Sequence, residues 1–349
     1  MFNAWSYLAA HPLYINLLKM NGKLQIDRVK EFYDKCGKRW GHDVPSDTKY
    51  AQQKVNTYKA PTKQILYTYG HGDKFFNLFS MMAYMEMLYP KSTHIIDGHF
   101  LSSDNTRLPL IEQFTRERSI AYSIQDNSSK FDATVYMSPN TQKIDQSCKN
   151  DPNKFFMIHE DDESFLSWEN VVYTSPMYST TFAPMHIFPI IEKSMSESVV
   201  NILVIDLPPN MMDMKCLISL KSCNIHIIDG LYQYYVIDKK GNLRKKNDTL
   251  SSLDVLKLAS SCDYVLCTGK IEMSANWAMA FNRPIIFRQG TLPHHVSKLM
   301  TNTIEYIDYD DLSRKLDIVR NVDIDIHQTI QFHLFENERF RSHLNPTII

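Results

Sequence analysis

Two short segments combine glycine residues with side chains that exchange protons. Gly70-His71-Gly72-Asp73 follows a β-rich apolar run, and Asp97-Gly98-His99 follows a second one. Imidazole and carboxylate groups act as general bases, and glycines allow a substrate to approach the backbone closely. We therefore predict that Asp73, or else His71 or Asp97, acts as a general base. Simple strand-to-helix turns, with Asp73 as a helix N-cap in the first, are the alternative.

The elements that must position these residues alternate between strands and helices from residue 61 onward. Strands are predicted at 64–69, 92–97, 120–124, 133–137, 154–159 and 171–173, with helices at 75–88 and 108–118. After a turn-rich join near 190–199, a second series has strands at 199–206, 225–229, 233–238, 242–244, 263–267 and 284–288. Its helices are predicted at 211–222, 251–260, 273–281, 310–319 and 328–341. Such alternation is typical of βαβ units around a mainly parallel sheet.

The predicted fold class is therefore α/β, with two Rossmann-like domains that face a central cleft and an N-terminal helical extension. The predicted divisions are a basic extension at 1–60, a first Rossmann-like domain at 61–190 and a second Rossmann-like domain at 199–349. Open α/β sheets bind ligands outside the carboxyl ends of their strands. Polar loops at those ends in both halves would thus line one interdomain cleft.

The N-terminal extension is basic. Residues 19–63 hold eleven Lys and Arg residues against five acidic ones, whereas the 349-residue chain has a net charge of −1. We predict helix over Lys19–Gly37 and loop over Gly41–Pro61. A basic segment on a neutral body is suited to contact nucleic-acid phosphates, and a solvated helical face is the alternative.

Composition excludes several other classes of protein. With 44% apolar and 22% charged residues, the chain has the composition of a globular protein. No apolar run of about 18 residues would span a membrane, and the N-terminus lacks signal-peptide features, so we expect a soluble intracellular protein. The six cysteines lack zinc-site spacing and are expected to be reduced. The sequence contains no P-loop, no dinucleotide-binding glycine motif and no nucleophile elbow.

The stretch Leu250–Asp311 carries a family resemblance. Its order is a helix, the strand around Asp263–Cys267, the segment Ala278-Met279-Ala280-Phe281-Asn282-Arg283-Pro284, a short strand and finally Asp310-Asp311-Leu312. This order resembles the C-terminal domain of GT-B fold glycosyltransferases, in which an E-A-M-A-x-G-x-P helix precedes a loop beside the donor sugar. Phage DNA glucosyltransferases are one branch of this fold. A bias toward Asn, Ile, Lys and Tyr fits an AT-rich genome, such as many viruses have, which would place the protein in the host cytoplasm.

The resemblance implies transfer of a hexose from a nucleotide sugar to an acceptor hydroxyl, without a metal and without a cofactor. The nucleotide, UDP, GDP or CMP, is left open, and the acceptor would be a glycan, a protein or modified viral DNA. A helix N-terminus near Glu272–Asn276 would hold the diphosphate. The implied donor-binding residues are Gly269, Lys270, Glu272, Ser274, Asn276, Arg283 and Arg288. The implied acceptor-binding residues are Gly70, Gly72, His99 and Glu160.

The chain also departs from the family pattern. Trp277 stands where the family has a ribose-binding carboxylate, and Leu207-Pro208-Pro209-Asn210 replaces a glycine-rich donor loop. A noncatalytic scaffold that kept the fold, or a sugar-nucleotide epimerase, therefore remains as an alternative. Three other polar segments are interpreted first as surface loops. For His159–Glu163 the alternative is that its carboxylates, Glu160 among them, bind sugar hydroxyls or act as a base. For His294-His295, and for Asp323-Ile324-Asp325 with His327, the alternative is a metal or diphosphate site.

Overall fold

The computed structural model describes most of the chain up to residue 319. The described residues are 2–20, 23–46, 49–68, 75–102, 104–125, 131–137, 144–158, 165, 168–173, 199–205, 211–220, 223–229, 232–238, 240–268, 283–291 and 303–319. The predicted helices at 273–281 and 328–341, and most of the predicted join at 190–199, lie outside these residues.

The N-terminal extension consists of short helices and a small hairpin. Its elements are α1 (Ala4–Ala10), α2 (Tyr14–Leu17), β1 (Lys19–Met20), β2 (Lys23–Leu24), α3 (Ile26–Phe32), α4 (Lys38–Trp40) and α5 (Ala51–Thr57). A π-helical segment, Tyr33–Gly37, joins α3 to α4. The prediction of helix from Lys19 onward was wrong up to Leu24, because β1 and β2 pair antiparallel. The prediction of loop over 41–61 was wrong at α5.

The first large sheet defines the N lobe, which we take as residues 64–173. Its strands are β3 (Gln64–Thr68), β4 (Thr93–Ile96), β5 (Ala121–Ile124), β6 (Ala133–Met137), β7 (Lys154–Ile158) and β8 (Val171–Tyr173). They are all parallel and lie in the order β5-β4-β3-β6-β7-β8. Counted from β3, this is the 3-2-1-4-5-6 order of the Rossmann fold.

Two helices link the first strands of the N lobe. The helix α6 (Phe75–Leu88) follows β3, and α7 (Arg107–Arg118) follows β4. Every residue of α6 except Glu86 is buried, so this helix has no solvent-facing side. Such a helix must be covered by other elements all around.

The extension supplies part of that cover. Its apolar side chains belong to the same buried cluster as α6 and the sheet: Tyr7, Leu8, Tyr14, Ile15, Leu18, Val29, Phe32 and Val55. At Gly37 a Cβ atom would lie 2.8 Å from the Tyr7 hydroxyl, so only glycine allows this close approach. The extension is therefore an integral layer of the N lobe.

A buried polar group, which we call the anchor cluster, joins the extension to the far side of the N lobe. It consists of Tyr7, Tyr14, His42 and Glu169. Tyr7 Oη lies 2.9 Å from His42 Nδ1, His42 Nε2 lies 3.2 Å from Glu169 Oε1, and Tyr14 Oη donates to the same oxygen at 2.9 Å. Hydrogen bonding to His42 and Tyr14 lowers the pKa of Glu169 despite its partial burial.

The second large sheet defines the C lobe, residues 200–319. Its elements are β9 (Val200–Ile205), α8 (Met211–Ser219), β10 (Cys223–Ile228), β11 (Gln233–Ile237), β12 (Leu243–Thr249), α9 (Ser252–Ser261), β13 (Tyr264–Leu266), β14 (Ile285–Arg288), β15 (Thr303–Tyr306) and α10 (Tyr309–Val319). The strand order is β12-β11-β10-β9-β13-β14-β15. The five strands β10, β9, β13, β14 and β15, which are neighbours in this order, are parallel. Counted from β9, they form a second doubly wound order, 2-1-3-4-5.

An antiparallel hairpin, β11–β12, extends this sheet beyond β10. Its turn is organised by Asp238, whose carboxylate accepts hydrogen bonds from the backbone N–H groups of Lys240 and Asn242 at 2.9 and 3.0 Å. Gly241 adopts φ +81°, and a Cβ there would lie 2.7 Å from the carbonyl oxygen of Ile218. The turn is thereby fixed against the end of α8.

The C-lobe sheet has helices on both faces. Leu217 of α8, together with Leu312 and Leu316 of α10, packs on one face, and Val255 and Ala259 of α9 belong to the cluster on the other. The prediction of an α/β fold with two Rossmann-like sheets is confirmed. Among the described residues, no helix combines the length and apolar composition that crossing a membrane requires.

Candidate active site

Each sheet has one point at which its strand order reverses. In the N lobe the reversal lies between β3 and β6, and in the C lobe between β9 and β13. Ligands of doubly wound sheets bind outside the carboxyl ends of the strands at such a switch point. The predicted base segment 70–73 follows β3 directly, and the predicted donor segment begins at 269, three residues after β13. Both segments are therefore attached to the switch-point strands.

Much of the predicted site lies outside the described residues. This holds for the predicted bases His71 and Asp73, and for the following other positions: Gly70, Gly72, Glu160, Gly269, Lys270, Glu272, Ser274, Asn276, Trp277, His294-His295 and Asp323–His327. Their roles stay predictions. The structure describes Asp97, His99, Arg283 and Arg288.

Asp97 and His99 form a pair at the carboxyl end of β4. The Asp97 carboxylate accepts the backbone N–H of His99 at 2.9 Å, and the same oxygen lies 2.8 Å from His99 Nδ1. A 3-10 turn, Gly98–Phe100, holds both residues, and the Asp97 N–H donates to the Tyr67 carbonyl of β3. Because an ionised carboxylate only accepts, Nδ1 carries the proton and Nε2 is the basic nitrogen.

The position of this pair suits proton transfer. The His99 side chain is 77% exposed, whereas that of Asp97 is 21% exposed. A carboxylate that orients a largely exposed imidazole is an arrangement that general bases use. The sequence had assigned the base role to Asp97 and acceptor binding to His99. The geometry instead joins them into one unit.

Two of the predicted donor-binding residues flank β14. Arg288 is the last residue of the strand and is exposed at its carboxyl end. Arg283 precedes the strand and is buried, and its guanidinium donates to the Ser260 carbonyl at the end of α9 at 2.8 Å. Burial lowers the pKa of Arg283. Arg283 therefore contacts the C-terminus of a helix. Arg288, in contrast, lies at the carboxyl end of β14.

Thr268 marks the start of the predicted donor segment. It follows β13 at the switch point, and its buried hydroxyl oxygen has no hydrogen-bond partner among the residues that the structure describes. Buried hydroxyls are normally paired, so this oxygen is a natural contact for a ligand group. Sequence reasoning had ended the strand at Cys267 and had not singled out Thr268.

The two lobes meet through a second polar group, which we call the junction cluster and which consists of Asp104, Thr106, Arg107 and Ser252. The N–H of Ser252, first in α9, donates to Asp104 Oδ2 at 2.5 Å, and the N–H of Leu253 donates to Thr106 Oγ1 at 3.2 Å. Arg107 Nε donates to Ser252 Oγ at 3.1 Å. The first N–H groups of a helix lack partners within it. The N lobe therefore caps a helix of the C lobe.

This contact fixes how the sheets are oriented. Helices α7 and α9 each lead into a parallel strand, so each begins at the carboxyl edge of its own sheet. Because their N-termini touch, the two carboxyl edges face each other. A ring contact at 6.0 Å between Phe76 of α6 and Tyr232, just before β11, joins the same edges. No sequence signal had pointed to the junction cluster.

Ionisation strengthens the junction cluster. Partial burial opposes the charged form of Asp104, but hydrogen bonds from Ser252 and Thr106 outweigh it and lower the pKa to about 2. Asp104 is thus an anion at neutral pH, 3.6 Å from Arg107 Nε. Among the described residues, no group of three or more His, Cys, Asp or Glu side chains could hold a metal ion.

Comparisons with known proteins give no family assignment from sequence, since no family model and no curated protein matches.

Three solved structures are similar to the chain over most of its length. A glycosyltransferase from Rickettsia africae is 12% identical, with 81% of this chain and 93% of that chain covered and a TM-score of 0.41. The iron-containing dodecameric glycosyltransferase TibC from enterotoxigenic E. coli is 11% identical, with 83% and 76% covered and a TM-score of 0.38. A UDP-GlcNAc 2-epimerase from Methanocaldococcus jannaschii is 10% identical, with 97% and 95% covered and a TM-score of 0.29. Glycosyltransferases thus recur among these neighbours, but similarity at this level assigns no activity to the chain.

Proposed function

We propose that the protein is a glycosyltransferase that moves a hexose from a nucleotide sugar to an acceptor hydroxyl. The observation that carries the proposal is the arrangement of two doubly wound sheets whose carboxyl edges, each with a switch point, face each other. Two ligand-binding edges in opposition suit a reaction between two bound substrates. The C lobe would hold the donor and the N lobe the acceptor.

In this proposal the Asp97–His99 pair is the base beside the acceptor. His99 Nε2 takes the proton of the acceptor hydroxyl, whose oxygen attacks the anomeric carbon of the donor sugar. The bond from that carbon to the nucleotide phosphate breaks, and the nucleotide leaves with the electron pair. Asp97 keeps the imidazole oriented and stabilises its charged form. Asp73 and His71, which follow β3 in the sequence, are the other candidates for this role.

The donor side is proposed to work without a metal ion. Gly269, Lys270, Glu272, Ser274 and Asn276 would bind the nucleotide sugar. Arg288 would neutralise the leaving phosphate from the end of β14, and the Thr268 hydroxyl would contact the same ligand. Cations and backbone N–H groups can stabilise the developing charge that a metal stabilises elsewhere. Retention of full activity in EDTA is the expected result.

A donor panel tests the proposal. UDP-, GDP- and CMP-linked hexoses are incubated with the protein, and nucleotide release is measured with and without glycan, peptide and hydroxymethylated duplex DNA acceptors. Release that rises with one acceptor class supports transfer. Absence of turnover together with absence of a thermal shift with any nucleotide would instead identify a scaffold, and epimerised donor without acceptor would identify an epimerase.

Matched variants test the base. His99→Ala should lower kcat about 100-fold or more while nucleotide affinity stays unchanged, because general-base catalysis contributes factors of about 10²–10⁴. Asp145→Asn is the control, since Asp145 caps a similar 3-10 turn by accepting the Ser147 N–H at 2.9 Å, and a serine rather than a histidine stands two residues after it. Full activity of His99→Ala would transfer the base role to Asp73 or His71.

We also propose duplex DNA as the acceptor to test first, because residues 19–63 carry a net positive charge. Lys49, Lys54 and Lys59 are exposed there, whereas Lys30 and Lys38 both pair with Asp34. Deleting residues 1–60 would uncover α6, so charge reversal is the better test. Lys54→Glu with Lys59→Glu should weaken binding in low salt, whereas Lys215→Glu with Lys257→Glu in the C lobe should not. Equal binding by both pairs would remove the DNA proposal.

A further inference from the structure

Arg107 contacts both the C lobe and the turn that carries the candidate base. It is the first residue of α7 and is only 1% exposed, which makes it one of the largest fully buried side chains. A buried cation destabilises a protein unless hydrogen bonds and an opposite charge match it. The contacts of Arg107 therefore show which parts of the molecule it holds together.

Among the described residues, those contacts reach three separate parts of the chain. Nη1 donates to the Phe100 carbonyl at 2.9 Å, in the turn that carries Asp97 and His99. Nε donates to Ser252 Oγ of the C lobe at 3.1 Å. The guanidinium also lies over the ring of Phe75, 4.9 Å from its centroid, where α6 begins after the segment 70–73.

The shape of the arginine side chain makes this connection rigid. A guanidinium is planar, and its N–H groups point in fixed directions, so the bond to Phe100 and the bond to Ser252 set one another's geometry. A lysine ammonium at this position would keep the charge but has no fixed pair of donor directions. A shift of α9 relative to the N lobe would therefore break at least one of the two bonds.

We propose that Arg107 is a positioning residue that holds the Asp97–His99 turn in register with the C lobe. The inference deepens the proposed function, because the register concerns the distance between the base and a donor bound to the C lobe. Arg107 acts through the Phe100 carbonyl and Ser252, and does not itself contact the reacting atoms. It keeps the distance between the candidate base and the C-lobe half of the site constant.

Arg118 provides a matched control at the other end of the same helix. Its side chain is 5% exposed, it lies over the ring of Phe114 at 4.3 Å, and it is 3.4 Å from a carboxylate oxygen of Glu117. Both arginines thus stack on a phenylalanine and have a neighbouring carboxylate. The difference is that Phe114 and Glu117 both belong to the N lobe, whereas Ser252 belongs to the C lobe.

Hydrogen exchange at three consecutive amides measures the connection without any substrate. The amides of Ser252 and Leu253 donate across the lobes, whereas that of Asp254 donates to Ser251 Oγ within the C lobe at 3.1 Å. In Arg107→Gln we expect at least tenfold faster exchange at Ser252 and Leu253 and an unchanged rate at Asp254. Arg118→Gln should leave all three rates unchanged.

Kinetics of the same variants test the positioning role. With the donor that the panel identifies, Arg107→Gln should lower kcat at least tenfold and leave the KM for the nucleotide sugar within about twofold. Arg118→Gln should retain kcat even if its stability falls. Arg107→Lys, which keeps the charge, replaces the glutamine variant if the latter does not fold, and should show the same changes in smaller degree.

The two proposals fail in different ways. Unchanged exchange at Ser252 and Leu253 in folded Arg107 variants would overturn the inference whatever the donor panel shows. Faster exchange with unaltered kcat would also overturn it, since the lobes would then be uncoupled without effect on the base. A wild-type protein without turnover on any donor would remove the proposed function and with it the catalytic part of the inference, while the exchange rates would still report whether Arg107 couples the lobes.

Discussion

The anchor cluster and the junction cluster solve the same problem with different chemistry. Each connects segments that are far apart in sequence, since Tyr14 and Glu169 are 155 residues apart and Arg107 and Ser252 are 145 apart. The anchor cluster relies on a histidine and two phenols around one carboxylate. The junction cluster relies on an arginine and an aspartate whose pKa is about 2. Its charges are therefore constant at any pH near neutrality.

Because of this difference, the stability of the anchor cluster and that of the junction cluster should change in different pH ranges. His11 stacks on His42 with ring centroids 4.0 Å apart. Burial and this neighbour lower the pKa of His11, so the folded state resists protonation of His11 in mild acid. The junction cluster has no group that titrates between pH 5 and 8. Attachment of the extension is thus expected to respond to mild acid, whereas the lobe junction is not.

The largest effect is expected from Glu169→Ala. The change leaves the buried Tyr14 hydroxyl and His42 without their shared carboxylate, and should reduce the free energy of unfolding by about 3 kcal/mol. Urea denaturation measures it. Glu169→Gln, which keeps an acceptor for Tyr14, should lose about half as much, and the exposed Glu112→Ala should lose less than about 0.5 kcal/mol. A loss as small as that in Glu112→Ala would show that the anchor cluster does not hold the extension.

The next largest effect is expected on the free energy of unfolding in strong acid, to which Asp104 of the junction cluster contributes. Because the folded-state pKa of Asp104 is below its unfolded value of 3.8, its contribution is complete above that value and is lost as pH falls toward 2. It amounts to roughly 2 kcal/mol. Asp104→Asn should remove this part of the pH dependence of unfolding between pH 4 and 2. An unaltered slope in that variant would show that other carboxylates dominate.

Two adjacent serines allow a finer comparison. Ser251 caps α9 within the C lobe, by accepting the Asp254 N–H at 3.1 Å, whereas Ser252 Oγ accepts from Arg107 of the N lobe. Alanine at either position should reduce stability by about 1 kcal/mol. Only Ser252→Ala should separate the calorimetric transitions of the two lobes, because only it weakens a contact between them. Equal separation in both variants would contradict the assignment of Ser252 to the junction.

The smallest expected effect is the response of the extension to mild acid. Burial and the neighbouring His42 lower the pKa of His11 below 6.5, against the favourable effects of Glu169 and Asp43. The unfolded chain therefore binds a proton that the folded chain resists, and the free energy of unfolding falls as pH drops below 6.5. Protection factors for hydrogen exchange over residues 4–18, which correct for the pH dependence of the intrinsic exchange rate, should fall between pH 7.5 and 5.5 in the wild type and fall less in His11→Gln.

The alternating strands and helices could be predicted because they are long enough to carry an apolar pattern. Strand β9 and helix α9 both lie within one residue of their predicted bounds, and Ser251 caps α9. The hairpin β1–β2 was missed although Asn21-Gly22 between its strands is a hairpin signal, because the flanking residues also fit a helix. Helix α5 buries only Ala51 and Val55, which is too weak a pattern to distinguish from loop.

The sequence predicted where the candidate site residues lie, but not which of them contact one another. Asp97 and His99 were identified because they follow a strand, yet their pairing depends on a 3-10 turn that the sequence does not specify. Arg107 carries no signal at all, because the first residue of an amphipathic helix is normally solvated. One of its contacts is Ser252 of α9, 145 residues later in the chain, and such tertiary contacts are not encoded in local periodicity.

The outermost strand of the C lobe has a consequence for self-association. An unpaired strand edge is a template for another copy of the chain, and β12, the last strand on its side of the described sheet, presents such an edge with exposed Arg244, Lys245 and Lys246. Two copies that approached through this edge would bring like charges together before any backbone bond formed. The basic residues of β12 therefore oppose extension of the described sheet by a second copy of the chain.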